Sequence, residues 1–187
     1  MAVRAITGDI GSGKSAAAGI LSAKLGCMCL DADAVAKSMW QRQDVKARAV
    51  SRWGSRILDA SGNVIMPVLA ELIFSGRSEH DFCSALIHPP VMSELYRLSR
   101  SLDNAVLEIP LLPEAGRPEW IDEAIYITAD FRVRAERRRL QRGWTSGELR
   151  RREGFLLPQS ERMSVCEHVI YNDGSISELQ RQLEEMT

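Results

Sequence analysis

The chain has 187 residues, 45% of them hydrophobic, which is enough to bury the core of one main domain. Its 24 lysines and arginines nearly balance 25 aspartates and glutamates, and the net charge of −1 excludes a general electrostatic attraction to nucleic acid or to an anionic membrane. The four cysteines, Cys27, Cys29, Cys83 and Cys166, lack the paired spacing of a zinc site, so a reduced, cytoplasmic chain is expected.

The chain enters on a short apolar run, residues 2–7, with no long apolar stretch of the kind a signal peptide or membrane helix needs. Residues 15–25, rich in Ala, Leu and Lys, then read as a helix. A second short apolar run, 27–30, ends in Asp31-Ala-Asp33, and a helix is expected from Ala34 onward. Residues 44–100 read as helices broken at Asp59-Ala-Ser-Gly62-Asn, at Ser75-Gly-Arg and at His88-Pro-Pro90.

Three further apolar runs, 105–112, 124–128 and 168–172, are candidate buried strands, making five in all. Residues 131–161 are dense in arginine, read as a pair of helices with a break at Gly143-Trp-Thr-Ser146, and suggest a lid beside a phosphate site. Strands alternating with helices predict a doubly wound α/β fold, because parallel strands need crossovers and the crossovers are usually helical.

Gly8-Asp-Ile-Gly-Ser-Gly13-Lys14-Ser15 fits the P-loop pattern G-x-x-x-x-G-K-[ST] at every fixed position, between a predicted strand and a predicted helix. Gly11 and Gly13 free the backbone N–H groups to curl around phosphate oxygens, and the following helix adds its positive end. Lys14 supplies a point charge to the β- and γ-phosphates, and the Ser15 hydroxyl is a magnesium ligand. Asp9 lies inside this loop, where a carboxylate repels a polyphosphate unless it turns to solvent or helps to hold the metal.

A GTPase is disfavoured, since no N-K-x-D base-recognition segment is present and Asp59-Ala-Ser-Gly62 reads as a surface turn. On an extended backbone Asp31 and Asp33 project to one face, as a base for an acceptor hydroxyl requires, although either could instead cap a helix.

In chain order, Thr7-Gly-Asp-Ile-Gly-Ser-Gly-Lys-Ser15, Leu30-Asp-Ala-Asp-Ala-Val-Ala36, Ile87-His-Pro89, Val106-Leu-Glu-Ile-Pro-Leu-Leu112 and His168-Val-Ile-Tyr-Asn172 resemble the signature of the dephospho-CoA kinase family, over nearly the whole chain. The resemblance implies a three-layer P-loop kinase core of about five parallel strands (1–40, 101–130 and 165–187), a helical substrate-binding insertion (41–100) and a helical lid (131–164). It implies ATP-dependent phosphorylation of the ribose 3′-hydroxyl of dephospho-CoA, yielding coenzyme A and ADP, with Mg2+ as cofactor.

By the same resemblance Asp33 falls at the catalytic aspartate, and Arg138 and Arg142 at the lid arginines, which act with Lys14. Gly11, Ser12, Gly13, Lys14, Ser15, Ala16 and Asn172 fall on ATP, Ser15 also on the metal, and Asp31, His88 and Glu108 on the substrate. The partners expected are ATP and dephospho-CoA, without nucleic acid or membrane, for a monomer or weak homo-oligomer.

The chain departs from the family's pattern at Asp9, where glycine is usual, and at Ala16, Met66, Pro113 and Leu157. Two alternatives therefore stand beside this reading: a nucleoside or nucleotide kinase of the same core, and a regulatory protein that binds ATP without turning it over.

Overall fold

A computed structural model describes residues 2–186, which divide into two compact units, one made of the residues up to Ala32 with those from Tyr96 onward, the other of Asp33–Leu95. In chain order the elements are β1 (Ala2–Gly8), α1 (Lys14–Leu25), β2 (Met28–Asp31), α2 (Ala32–Met39), α3 (Gln43–Trp53), a 3₁₀ turn (Ser55–Ile57), α4 (Met66–Ile73) and α5 (Arg77–Ser99). There follow β3 (Asn104–Glu108), α6 (Leu112–Ala115), β4 (Glu123–Thr128), α7 (Phe131–Arg142), α8 (Ser146–Glu153), α9 (Gln159–Ser164), β5 (His168–Tyr171) and α10 (Ile176–Glu185).

The first unit is built on a five-stranded, all-parallel sheet in the order β2-β3-β1-β4-β5. Its strands are the predicted apolar runs. β-Branched Ile6, Val106, Ile125, Ile127 and Ile170 floor one face, and α1 and α10 cover it with Ala17, Ala18, Leu21, Leu179 and Leu183.

The fully buried alanines let α1 lie close to the sheet, which fixes where its N-terminus comes out. Truncating Leu21 to Ala would cost roughly 2–5 kcal/mol from lost transfer energy and the cavity left behind. β1 pairs with β3 on one side and β4 on the other, so the chain leaves it in one direction and returns in the other, and a crevice opens outside its carboxyl end.

The second unit is helical apart from a Leu58–Val64 bridge. Trp53 meets Phe82 edge-on at 5.2 Å and donates its indole N–H to Glu79 at 2.6 Å, a carboxylate that also takes both arms of Arg52.

Three sequence expectations are corrected. The helix expected to stop at His88-Pro-Pro90 runs on through both prolines to Ser99. The prolines remove two backbone donors, yet Leu86, Ile87, Val91 and Leu95 are buried on either side of them, and that burial outweighs the lost bonds. The extended backbone expected from Asp31 to Asp33 is absent: β2 ends at Asp31, and Asp33 sits in the first turn of α2, where the helix dipole favours a carboxylate. The arginine-rich segment forms three helices rather than a pair, because Gly154 closes α8 and Pro158 starts α9 afresh.

Candidate active site

The P-loop follows β1 directly and ends in the first turn of α1, as its glycines and the strand order require. Gly13 caps α1 in the left-handed region at φ 96°, and a Cβ there would lie 2.4 Å from the Asn172 amide nitrogen. Gly11 takes φ 82°, and its Cβ would meet the Arg134 carbonyl at 2.9 Å and Arg138 Cγ at 3.2 Å. These two bare positions let Asn172 from the end of β5 and Arg138 from α7 close directly on the loop backbone.

Lys14 folds its ammonium back onto the loop, donating to the Gly8 and Asp9 carbonyls at 3.2 and 2.8 Å. Ser15 donates its hydroxyl to Glu108 Oε1 at 2.8 Å, and Glu108 ends β3 with Asp31 of β2 as its register neighbour. Asn172 is buried and donates to the Ser12 carbonyl at 2.7 Å, while Arg137 bridges the Ser12 and Asn172 carbonyls at 3.2 and 2.9 Å. Ser12 Oγ and Arg138 Nε are buried and have no hydrogen-bond partner among the described residues, so this cradle holds unspent polar groups.

Arg138 and Arg142 stand one turn apart on α7. Burial, then the nearby Arg142 charge, holds the Arg138 guanidinium below its usual value, with Glu108 opposing. A shared anion between the two arginines would relieve that repulsion. Ala16 is exposed on the first turn of α1.

Asp31, exposed at the carboxyl end of β2, belongs to this unit. Asp33, exposed, and His88, half-buried on α5, belong to the other. Burial and the neighbouring His80 push the His88 imidazole down, favouring its neutral form.

Asp9 does not go to solvent but turns inward. Its carboxylate is 1% exposed and accepts four hydrogen bonds: Tyr126 OH at 2.8 Å, Thr128 Oγ1 at 2.5 Å, Gln159 Nε2 at 2.7 Å and Arg162 Nη2 at 2.8 Å. Arg134 Nε stands 4.0 Å away. Burial alone would raise this acid, but the bonds from Thr128 and Tyr126 and the charges of Arg134 and Arg162 hold it below the usual carboxylate value. The repulsion expected inside the loop is thus turned away from the phosphate cradle.

Sequence reasoning missed Arg134, Arg137, Tyr126, Thr128, Gln159 and Arg162. The alternation of Tyr126 and Thr128 along β4, and the spacing of Arg134 and Arg137 one turn apart on α7, were the available signals.

A hydroxyl and a carboxylate 2.8 Å apart, beside a loop of backbone donors, a lysine and two arginines, can bind a polyphosphate with a hard divalent cation. No group of three or more His, Cys, Asp or Glu that could hold a metal occurs among the described residues. No helix of the described residues is long and apolar enough to cross a membrane.

Comparison with known proteins agrees with this chemistry. Residues 2–178 match the family model of dephospho-CoA kinase. The dephospho-CoA kinase of Geobacillus kaustophilus is 30% identical over 184 residues, covering 95% of this chain and 91% of the relative. The crystal structure of TT1252 from Thermus thermophilus superposes with a TM-score of 0.78 at 29% identity, covering 99% of this chain and 95% of that one. Dephospho-CoA kinase from Campylobacter jejuni shares the fold with a TM-score of 0.68 at 18% identity, covering 98% and 94%. The match spans the phosphate loop, the strand ends that carry Asp31 and Glu108, and the arginine helix α7, and this chain belongs to the dephospho-CoA kinase family.

Proposed function

We propose that this chain transfers the γ-phosphoryl group of ATP to the ribose 3′-hydroxyl of dephospho-CoA, giving coenzyme A and ADP. The observation that carries the reading is the cluster of Lys14, Ser15, Glu108 and Arg138 at the mouth of the phosphate loop, in a chain whose family match covers residues 2–178.

Binding comes first. The backbone N–H groups from Gly11 to Ser15 hold the phosphates, with Ala16 beside them on α1, and Asn172 braces the loop through the Ser12 carbonyl. On ATP binding Lys14 exchanges its loop carbonyls for phosphate oxygens, gaining charge-assisted bonds in place of neutral ones.

Ser15 would hold magnesium, and its 2.8 Å bond to Glu108 moves that carboxylate from the substrate role read in the sequence to the metal, which would supply neutralisation of the charge that develops between the β- and γ-phosphates. Arg138 and Arg142 grip the migrating phosphoryl group, and Asp33 accepts the proton of the attacking hydroxyl. Asp31 and His88 orient the acceptor. The reaction is assigned to the cytoplasm, which the four free cysteines support. The insertion (41–100) and lid (131–164) read from the sequence are kept as part of this proposal, the compact helical unit itself running from Asp33 to Leu95, and a monomer or weak homo-oligomer suffices for the reaction.

The test is ADP release with magnesium and ATP, comparing dephospho-CoA, adenosine, AMP and no acceptor, with Asp33→Asn beside wild type. Release that requires dephospho-CoA and falls by about 10²-fold or more in Asp33→Asn is expected. Release driven by adenosine or AMP would transfer the activity to a nucleoside or nucleotide kinase, and ATP binding without release to a regulatory protein.

A further inference from the structure

Asp9 joins two parts of the first unit through its two ends. Its backbone is wall of the phosphate loop: the carbonyl accepts Lys14 Nζ at 2.8 Å and the Ser12 amide at 3.2 Å. Its side chain points the opposite way and is the common acceptor for β4, through Tyr126 and Thr128, and for α9, through Gln159 and Arg162. Arg162 is itself 5% exposed, stacks its guanidinium 5.6 Å above the Tyr126 ring and donates to the Leu157 carbonyl at 3.0 Å, which pins the link that leads out of α8.

A second tether runs in parallel. Arg134 of α7 donates to the carbonyl of Ile10, the next loop residue, at 3.2 Å and pairs with Glu153 at the end of α8. The first turn of the loop is therefore fastened to α8 and α9 through two buried arginines, both ion-paired with Asp9, Arg162 at 2.8 Å and Arg134 at 4.0 Å. Only a carboxylate at this position can accept from four donors at once; glycine accepts from none, and asparagine replaces one acceptor oxygen with an NH₂ group that turns two donors toward them.

We propose that Asp9 is a positioning residue for ATP, holding the entrance of the phosphate loop, and with it the resting place of Lys14, in register with the arginine-rich helices through its contacts with Arg162 and Gln159. It touches no phosphate. Its effect reaches ATP through the backbone of the loop, and the proposal rests on the reading that ATP binds there.

The test is calorimetric titration of magnesium-ATP into wild type, Asp9→Asn, Asp9→Gly, Arg162→Lys and Arg162→Met, alongside thermal unfolding and the KM values for ATP and dephospho-CoA. The expected result is a rise of about tenfold in both Kd and KM for ATP in Asp9→Asn, with KM for dephospho-CoA unchanged. Arg162→Lys, which keeps the charge, falls between wild type and Arg162→Met. Asp9→Gly leaves Arg162 as an uncompensated buried charge, and if it does not fold, Asp9→Asn and Arg162→Lys decide.

Wild-type affinity for ATP in Asp9→Asn together with a lowered melting temperature would make Asp9 merely structural and overturn the proposal. Because the titration needs no acceptor, a wild type that binds ATP but releases no ADP with dephospho-CoA would sink the proposed function while leaving the role of Asp9 decidable. A wild type that binds no ATP overturns both.

Discussion

Ser15 and Glu108 face each other at 2.8 Å, the hydroxyl at the end of the phosphate loop donating to the carboxylate at the end of β3. The pair exists because β1 and β3 are neighbours in register, Ile6 opposite Glu108, so that the loop leaving β1 turns its last residue over the next strand end. In the proposed reaction both oxygens serve magnesium.

Glu108→Gln keeps a hydrogen-bond acceptor for Ser15 but removes the negative charge. The magnesium concentration needed for half-maximal ADP release should rise by about tenfold, with the unfolding midpoint little changed. An unaltered magnesium dependence would separate Glu108 from the metal.

The contact between Gly13 and Asn172 gives a prediction about ATP alone. A methyl group at Gly13 would sit 2.4 Å from the Asn172 amide, in a backbone region that L side chains rarely adopt, and Asn172 has little room to retreat because it is buried and bonded to the Ser12 carbonyl. Gly13→Ala should therefore weaken ATP binding by roughly 10²-fold or more, whereas Asn172→Ala, which removes one bond to the loop, should weaken it by about tenfold. Titration of ATP into the two variants distinguishes a deformed loop from a missing brace.

The sheet and the phosphate loop were legible in the sequence because each is a local pattern. Five apolar runs became five strands, and the loop signature needs only eight consecutive residues flanked by a strand and a helix. The fate of Asp9 was not legible. Its donors Tyr126, Thr128, Gln159 and Arg162 lie between 117 and 153 residues away, so a reading along the chain sees only a carboxylate among phosphate ligands.

The run of helix through Pro89 and Pro90 was hidden for a related reason. Local rules stop a helix before proline, and the burial that overrides them belongs to tertiary packing. Arg137 was obscured by abundance: it lies one turn from Arg134, but α7 holds several such pairs, so the spacing alone does not single out the arginine that bridges the Ser12 and Asn172 carbonyls.

The prolines inside α5 carry a stability prediction. Pro90 removes the backbone donor that would reach the Leu86 carbonyl, in a helix whose neighbouring turns are buried. Pro90→Ala restores that donor and relieves the ring's clash with the preceding turn, against a gain in freedom of the unfolded chain. The net outcome should be a stabilisation of about 1 kcal/mol, read as a higher midpoint in urea at unchanged slope. A lower midpoint would mean that the packing around α5 depends on the proline ring itself.

The acid limb of the stability profile should belong in part to Asp9. Its folded value lies below the ordinary 3.8, so as the pH falls the unfolded chain takes up this proton before the folded one does. The stabilisation from the buried network is then complete above about pH 5, and it is lost progressively as the pH drops from there through the folded value.

Asp9→Asn cannot titrate. The variant should be less stable than wild type at pH 7, where wild type has the full ion pair with Arg162, and the gap between the two should narrow between pH 4 and pH 2. Urea unfolding at a series of pH values measures this directly. A gap that stays constant down to pH 2 would show that the carboxylate gains its strength from geometry common to both side chains, and that its charge adds nothing to the fold.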